Sequence, residues 1–227
     1  MITRREFSLA SALVLAGGWR AAVHAADPAP ARPVPSPGQI WEGLVAGNKR
    51  FVAGKPRLRA LASLRRELAR GQYPLVTVLG CSDSRVSPSL VFDQTVGDLF
   101  EVRAAGNVAD PVALGSIEYA VDHLRTPLLL VLGHEKCGAV EAAASGEPMP
   151  SPGLEALVRH IKPAVERVHG QGSADTLLAR AVEANVHQSA KDLLESSAIL
   201  RRHADGGRLT VVKALYRLAT GEVVRLA

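Results

Sequence analysis

The amino-acid sequence predicts an α/β protein whose β-sheet has a parallel core and is flanked by helices. Two apolar runs, residues 74–80 and 127–133, contain no regular polar alternation. Such runs are typical of strands that are buried on both faces, as in parallel sheets. Segments with apolar residues at helical spacing separate and follow these runs, and an alternation of strands with helices is typical of α/β folds.

The chain begins with the features of a signal peptide, which we place at residues 1–26. Arg4, Arg5 and Phe7 precede a short apolar run, and small residues follow at a candidate cleavage site. The order of paired arginines, one residue and a phenylalanine resembles a twin-arginine signal, and a plain Sec leader is the alternative. We expect a periplasmic or exported protein with no stable membrane anchor, because the apolar run is too short to span a bilayer.

Residues 27–37 form a Pro/Ala-rich linker, with five prolines in eleven residues. Proline lacks the backbone N–H that helices and sheets need, and such a composition favours an extended polyproline conformation. One folded domain follows at residues 38–227, which is long enough to bury a hydrophobic core. Ser36 and Pro37 are suited to cap and begin its first helix.

Apolar spacing and the positions of glycine and proline predict the other elements of this domain. The last apolar segments fit either one or two strands around Thr220 and Gly221. The predicted helices cover residues 38–53, 60–70, 110–125, 137–145, 153–169 and 174–204. The predicted strands cover residues 74–80, 100–103, 127–133, 209–218 and 222–226.

The charge pattern argues against a nucleic-acid partner. The formal net charge is +5, but the basic residues are scattered in pairs such as Arg65-Arg66 and Arg201-Arg202. Pairs of this kind are typical of solvated helix faces. Aromatic residues, which stack on bases in proteins that bind single strands, make up only 4% of the chain. We therefore expect no nucleic-acid partner.

The chain has two cysteines, Cys81 and Cys137, which can form a disulfide or serve as small buried residues. Their surroundings favour a metal site instead. Cys81 and His134 directly follow the two buried strands, and parallel strands present such residues at one edge of the sheet. Cys137 comes three residues after His134, at a predicted helix start that favours a thiolate. Two thiolates and one imidazole are a good ligand set for Zn²⁺.

Asp83 and Arg85 follow the first cysteine and point the same way in an extended segment, because they are two residues apart. Asp83 can supply a fourth zinc ligand. A bidentate pair with Arg85 can instead hold the Asp83 carboxylate away from the metal. The sequence therefore predicts a zinc site that can open to water or substrate.

Two motifs resemble the signatures of the β-class carbonic anhydrases. They are Cys81-Ser-Asp-Ser-Arg-Val86 and His134-x-x-Cys137-Gly-Ala-Val140. The resemblance covers the whole predicted domain but neither the leader nor the linker. It implies a homo-oligomer, either a dimer or a tetramer, with one Zn²⁺ per subunit. The implied reaction is the reversible hydration of carbon dioxide to bicarbonate and a proton.

The resemblance also implies a role for each residue of the site. It identifies Cys81, His134 and Cys137 as the zinc ligands. Asp83 is either a fourth ligand in a closed state or, when it is paired with Arg85, the residue that orients the nucleophile.

Four further positions resemble the plant-like subgroup of this family. Gln72, Phe100 and Tyr119 match the residues that line the carbon dioxide pocket at a subunit interface in that subgroup. Val78 stands where the bicarbonate-inhibited subgroup has tryptophan. The resemblance therefore implies an open zinc site near neutral pH and N-terminal helices that pack on a partner subunit.

Two alternatives remain open from the sequence, and a third is disfavoured. The same fold can act on another small cumulated substrate, such as carbonyl sulfide or carbon disulfide. The chain can be a non-catalytic zinc protein, although a purely structural site needs no pair like Asp83 and Arg85. A hydrolase that uses Ser84 is disfavoured, because this serine is not part of a G-x-S-x-G motif.

Overall fold

The computed structural model describes residues 33–170 and 173–227, without the side chains of residues 174 and 175. The predicted signal peptide and most of the predicted linker lie outside these residues. The strands are β1 (Val76–Gly80), β2 (Leu99–Arg103), β3 (Leu128–His134), β4 (Thr210–Tyr216) and β5 (Val223–Arg225). The α-helices are α1 (Pro37–Val52), α2 (Leu61–Leu68), α3 (Pro88–Val91), α4 (Pro111–Glu118), α5 (Gly138–Ser145), α6 (Pro152–Val168), α7 (Ala174–Ser196) and α8 (Ala198–Asp205).

Within the described residues the strands form one sheet with the spatial order β2-β1-β3-β4-β5. The first four strands pair in parallel, and β5 runs antiparallel to β4 at one edge. β1 and β3 are buried along their whole length, whereas β2 at the other edge is only half-buried. The α/β fold with a parallel core is therefore confirmed. Gly80 aligns with Leu132, so β1 and β3 end at the same edge of the sheet.

Helices cover both faces of the sheet, and buried apolar residues pack against the sheet on each face. On one face, Ile40 and Leu44 of α1 pack with Phe92 against the sheet. On the other face, Val186 and Leu193 of α7 pack with residues of β3. None of the helices in the described ranges has the length and apolar character that crossing a bilayer requires.

The first helix begins where the sequence predicts. The Ser36 hydroxyl accepts a hydrogen bond from the backbone N–H of Gln39 (3.3 Å), and the Gln39 side chain accepts one from the Ser36 N–H (2.9 Å). This reciprocal pair satisfies two backbone donors at the start of α1. Pro37 occupies the first turn, where its missing N–H leaves no intrahelical bond unmade.

Two predicted helices differ from the observed ones. The helix predicted at 110–125 ends as an α-helix at Glu118 and continues as a π-helical turn over Tyr119–His123. The helix predicted at 174–204 is broken by Ser197, whose backbone is extended and whose hydroxyl caps α8. The short helix α3 is absent from the prediction, and the chain ends in two strands rather than one.

Candidate metal centre

The three predicted zinc ligands meet at the carboxyl edge of the sheet. Cys81 follows the last residue of β1, and His134 is the last residue of β3. Cys137 is the N-terminal cap of α5, three residues further along the chain. Because β1 and β3 are adjacent parallel strands, their ends bring residues that are more than fifty positions apart into one group.

The geometry of this group fits zinc. The Cys81 and Cys137 sulfurs are 4.0 Å apart, and the ligand atoms of all three residues lie within 4.8 Å of one another. Two thiolates at about 2.3 Å from a tetrahedral zinc ion lie roughly 3.8 Å apart. All three residues are buried. A set of two sulfurs and one imidazole is typical of zinc rather than of a hard cation such as Mg²⁺.

His134 is held in the tautomer that a metal requires. Its Nδ1 lies 2.9 Å from the backbone oxygen of Glu135, which accepts a hydrogen bond from the ring. The proton on Nδ1 leaves Nε2 free as an acceptor. Nε2 is buried and has no hydrogen-bond partner among the described residues. A buried polar atom without a partner is costly, and a metal ion at this position would satisfy it.

The environment of Cys81 favours a thiolate. A hydrogen bond with Cys137 lowers the pKa of the Cys81 thiol, to about 4, against the opposing effect of burial. The backbone N–H groups of Asp83 and Gly106 also donate to this sulfur and lower its pKa further. Conversely, the shared hydrogen bond and burial raise the pKa of Cys137. One thiolate is thus favoured by the protein alone, and a cation is the group that would favour the second.

Asp83 and Arg85 form a bidentate pair beside the ligands. Arg85 Nε and NH2 donate to the two carboxylate oxygens at 2.9 and 2.7 Å, and the Arg85 backbone N–H donates to Oδ1 at 2.9 Å. These hydrogen bonds hold the pKa of Asp83 well below its usual range. Asp83 Oδ2 is 3.9 Å from His134 Nε2, so the carboxylate lies next to the metal position while it remains bound to arginine.

Arg103 is a site residue to which the sequence analysis gives no role. Its guanidinium donates to the backbone oxygens of Cys81 (3.0 Å), Asp83 (2.8 Å) and Val86 (2.9 Å). These bonds fix the loop that carries Cys81 and Asp83. Its position at the end of β2, level with Gly80, is the signal that could have identified it.

Gly106 supports the first sulfur from the other side. Its N–H donates to Cys81 Sγ at 3.3 Å, and its carbonyl accepts from the side chain of Asn185 at 2.7 Å. Gly106 has φ of +64°, which side chains with a Cβ rarely adopt. A Cβ at this position would also lie 2.6 Å from Ile161.

The predicted pocket residues lie away from the metal group of the same chain. Phe100 pairs with Thr77, which is four residues before Cys81 on β1, or ~13 Å along the strand. Tyr119 lies against Phe100, with ring centroids 6.2 Å apart. Gln72 is exposed in the segment that precedes β1. The structure therefore groups these residues near the amino ends of the strands, opposite the cysteines.

Comparisons with known proteins agree with this site. The model of the carbonic anhydrase family matches residues 76–223, a range that contains both motifs. A carbonic anhydrase of Mycobacterium tuberculosis is 39% identical over 198 residues, which cover 85% of this chain and 94% of that protein. The chain belongs to the β-carbonic anhydrase family.

Solved β-carbonic anhydrases share the fold. A Coccomyxa β-carbonic anhydrase, solved in complex with acetazolamide, is 30% identical with a TM-score of 0.67, covering 73% of this chain and 77% of its own. A tetrameric enzyme from Sordaria macrospora has a TM-score of 0.66 at 23% identity, covering 83% and 98%. The second likeness concerns the fold alone.

As a β-carbonic anhydrase, the protein catalyses the zinc-dependent, reversible hydration of carbon dioxide to bicarbonate and a proton. The buried group of Cys81, His134 and Cys137 is placed to bind the zinc ion.

Proposed function

We propose that this carbonic anhydrase works with an open zinc site, in which Arg85 keeps Asp83 off the metal. The observation that carries the proposal is the bidentate Asp83–Arg85 pair at hydrogen-bonding distances beside the ligands. Both guanidinium contacts would have to break before the carboxylate could become a fourth zinc ligand. The open arrangement leaves that fourth position to water.

Each residue of the pair has a separate role. Zinc, when bound, supplies a nucleophile near neutral pH because it lowers the pKa of coordinated water to about 7. Asp83 stays ionised and accepts a hydrogen bond from the attacking water, which directs a lone pair toward carbon dioxide. Arg85 holds the Asp83 carboxylate in that orientation, and Arg103 fixes the backbone of the same loop.

The test is a comparison of three arginine variants. Arg85→Ala frees Asp83 to bind zinc, so we expect hydration to be lost while the zinc content stays at one per chain. Arg85→Lys keeps the charge but not the bidentate geometry, and an intermediate rate is expected. Arg159→Ala, at an exposed position on α6, is the control. Wild-type turnover in Arg85→Ala would remove the pair from the mechanism.

The coordination of the metal can be measured directly in the same variants. Cobalt in place of zinc reports the ligand set through its visible absorption. We expect the Arg85→Ala spectrum to gain a carboxylate ligand and the wild-type spectrum at pH 7 to retain a water. A wild-type site with four protein ligands at pH 7 would contradict both the open state and the plant-like assignment.

Gln72, Phe100 and Tyr119 serve the zinc site of a partner subunit in this proposal. Their distance from the metal group of their own chain and the exposure of Tyr119, 46%, support a pocket that is completed by a second copy. The N-terminal helices supply the surface, since α2 has no buried residue, and its Leu61 is exposed together with Leu58 and Val96. We expect at least a dimer by light scattering, and an active monomer would contradict the shared pocket.

We also propose that residues 1–26 are a twin-arginine signal peptide, which exports the enzyme already folded. The sulfurs of Cys81 and Cys137 are close enough to form a disulfide after a small movement, and oxidising compartments favour that reaction. Zinc binding to the folded chain in the cytoplasm would protect both thiolates before export.

Export is tested with two changes of the leader. Arg4→Lys together with Arg5→Lys should stop export of active enzyme. Replacement of residues 1–26 by a Sec leader should give exported chains that are poor in zinc and rich in the Cys81–Cys137 disulfide. Full zinc occupancy after Sec export would show that folding before export is unnecessary.

A further inference from the structure

The π-helical turn at Tyr119–His123 is an irregular segment that carries a pocket residue. The N–H of Leu124 donates to the carbonyl of Tyr119 (3.2 Å), five residues earlier, where an α-helix would pair residues four apart. π-helical turns are rare and are often found at functional sites. The rings of Tyr119 and His123 stack within this turn at 4.9 Å.

Helix α8 contacts this turn through residues at both ends of the helix. At the first end, the Ser197 hydroxyl donates to the carboxylate of Glu118, the residue before Tyr119, at 2.5 Å. At the second end, Asp122 Oδ1 lies 2.9 Å from His203 Nε2 and 3.3 Å from Arg202 NH2. The acidic residues Glu118 and Asp122 lie on either side of Tyr119 in the sequence, and both are bound by the same neighbouring helix.

The two donors on α8 are themselves oriented by other contacts. The Ser197 oxygen accepts from the backbone N–H of Leu200 (3.1 Å), which directs its own proton toward Glu118. Arg208 Nε donates to His203 Nδ1 (3.5 Å), so the His203 proton resides on Nε2 and faces Asp122. Ser197 is 1% exposed. The bond to Glu118 is therefore shielded from water, which strengthens it.

The electrostatics of the second contact agree with the geometry. The hydrogen bond from His203 and the neighbouring Arg202 guanidinium hold the pKa of Asp122 below its ordinary value, against the effect of burial. The carboxylate is consequently ionised at neutral pH, which is the state that accepts from His203 most strongly.

We infer that α8 is a positioning element for the carbon dioxide pocket, in which Ser197 and His203 act through Glu118 and Asp122 to hold the Tyr119 ring against Phe100. Without these contacts the turn would relax toward α-helical pairing and rotate Tyr119. The inference rests on the pocket role proposed for Tyr119. Ser197 and His203 do not touch substrate in this scheme, and they are positioning residues.

The experiment compares Ser197→Ala, His203→Ala and the double variant with Ser151→Ala in the full-length zinc enzyme. Ser151 caps α6 as Ser197 caps α8, accepting from the N–H of Leu154 at 3.3 Å, but no described contact joins it to the turn. The control therefore reproduces the loss of a helix cap without the loss of the Glu118 bond. His203→Gln retains a donor for Asp122 and should restore the behaviour of the parent enzyme.

Two readouts separate positioning from general destabilisation. Fluorotyrosine incorporation gives one ¹⁹F resonance for each of the three tyrosines, and Tyr119→Phe identifies that of Tyr119. We expect this resonance to move in the double variant and not in Ser151→Ala. We also expect kcat/KM to fall on the order of tenfold at unchanged zinc content, as small misplacements in a pocket typically cost at least this much.

Other results overturn the inference in distinguishable ways. A Tyr119 resonance that stays in place in the double variant would show that α8 does not position the ring, whatever the role of Tyr119. A Tyr119 resonance that moves with no change in kcat/KM would show that the position of the ring does not matter for catalysis. If Tyr119→Phe and Tyr119→Ala were then also fully active, the failure would lie in the pocket role proposed for Tyr119 rather than in its positioning by α8.

Discussion

The metal group and the proposed pocket residues Phe100 and Tyr119 differ in how deeply their own chain buries them. Cys81, His134 and Cys137 are 5%, 0% and 2% exposed, and their partners come from the same chain. Tyr119 is 46% exposed, and Phe100 is half-buried. The metal site is therefore complete within one subunit, whereas the pocket residues form an open surface.

This difference follows from the places of the residues in the sheet. The ligands Cys81 and His134 leave the interior strands β1 and β3, which neighbouring strands and helices cover on all sides. Phe100 lies on β2, which is an edge strand of the sheet that the described residues form. Interior strands build sites that need no partner, and edge strands present surfaces that a second chain can complete.

The largest expected effect comes from the loss of one zinc ligand. In Cys137→Ser the weakly acidic hydroxyl cannot replace a thiolate, so zinc binding should weaken sharply and hydration should fall to the rate of the uncatalysed reaction. Zinc content by atomic emission and hydration by stopped flow measure the two losses. Ser84→Ala is the matched control beside the site, and its full activity would show that the Ser84 hydroxyl takes no part in hydration.

A mixture of two inactive variants is the sharpest test of the shared pocket. One chain carries Cys137→Ser, and the other carries Gln72→Ala with Tyr119→Ala. If the pocket acts on the zinc of the partner, each hybrid dimer has one intact site. Random 1:1 mixing should then restore about a quarter of the wild-type activity, because half of the dimers are hybrids with one of two sites intact.

Mixing that restores no activity would show that the pocket is not shared between subunits. If the pocket residues act on the zinc of their own chain, every site in the hybrid carries one of the defects and mixing restores nothing. Co-expression of wild-type chains at the same ratio controls for assembly.

The sequence predicts the metal group better than it predicts the pocket, for a physical reason. Buried strands produce a strong apolar pattern, and a ligand directly after such a strand, as Cys81 is, must lie at the sheet edge. Nothing local in the sequence relates Gln72 to Tyr119, so these residues were assigned through family resemblance alone. The role of Arg103 depends on hydrogen bonds to a loop about twenty residues earlier in the chain, and these bonds form only after folding.

The π-helical turn illustrates the same limit. The apolar spacing of residues 110–125 predicts one helix, and it does not encode a change in hydrogen-bond pairing at Tyr119. The turn is associated with contacts from α8, which lies about eighty residues further along the chain. Tertiary contacts of this kind override local helical preference.

A moderate loss of stability is expected from Gly133→Ala, because Gly133 precedes the metal ligand His134 in a tightly packed part of β3. A Cβ on Gly133 would lie 2.4 Å from a methyl group of Val186 on α7, so Gly133→Ala forces β3 and α7 apart. We expect a loss of about 1–3 kcal/mol in the free energy of unfolding, as is usual for overpacked cores. Gly138→Ala, where a Cβ meets nothing within 4 Å, is the control. Equal stability of the two variants in urea would contradict the tight packing behind His134.

A stability effect of similar size is expected at Asp93, which binds Arg50 of α1 and the segment with Arg57 and Arg59 that leads into α2. The buried carboxylate accepts from Arg50 Nε (2.5 Å), Arg59 NH1 (3.1 Å) and the backbone N–H of Arg57 (3.2 Å). Burial raises the pKa of Asp93, but the arginines outweigh it and the net shift is downward. A lowered pKa in the folded state stabilises the fold above the unfolded value of about 3.9, and this stabilisation is lost as the pH falls through the folded value.

Asp93→Asn should therefore cost about 1–3 kcal/mol at pH 7, the usual worth of hydrogen bonds to a charged group, and progressively less at acidic pH. Asp205→Asn, exposed at the end of α8, is the control and should show no such pH dependence. Because the segment with Arg57 and Arg59 leads into α2, the same variant should raise the dissociation constant of the proposed dimer in sedimentation velocity while zinc affinity stays constant. A dimer that is unaffected while the fold loses stability would show that α2 does not cover a partner, and the pocket would then need another surface to complete it.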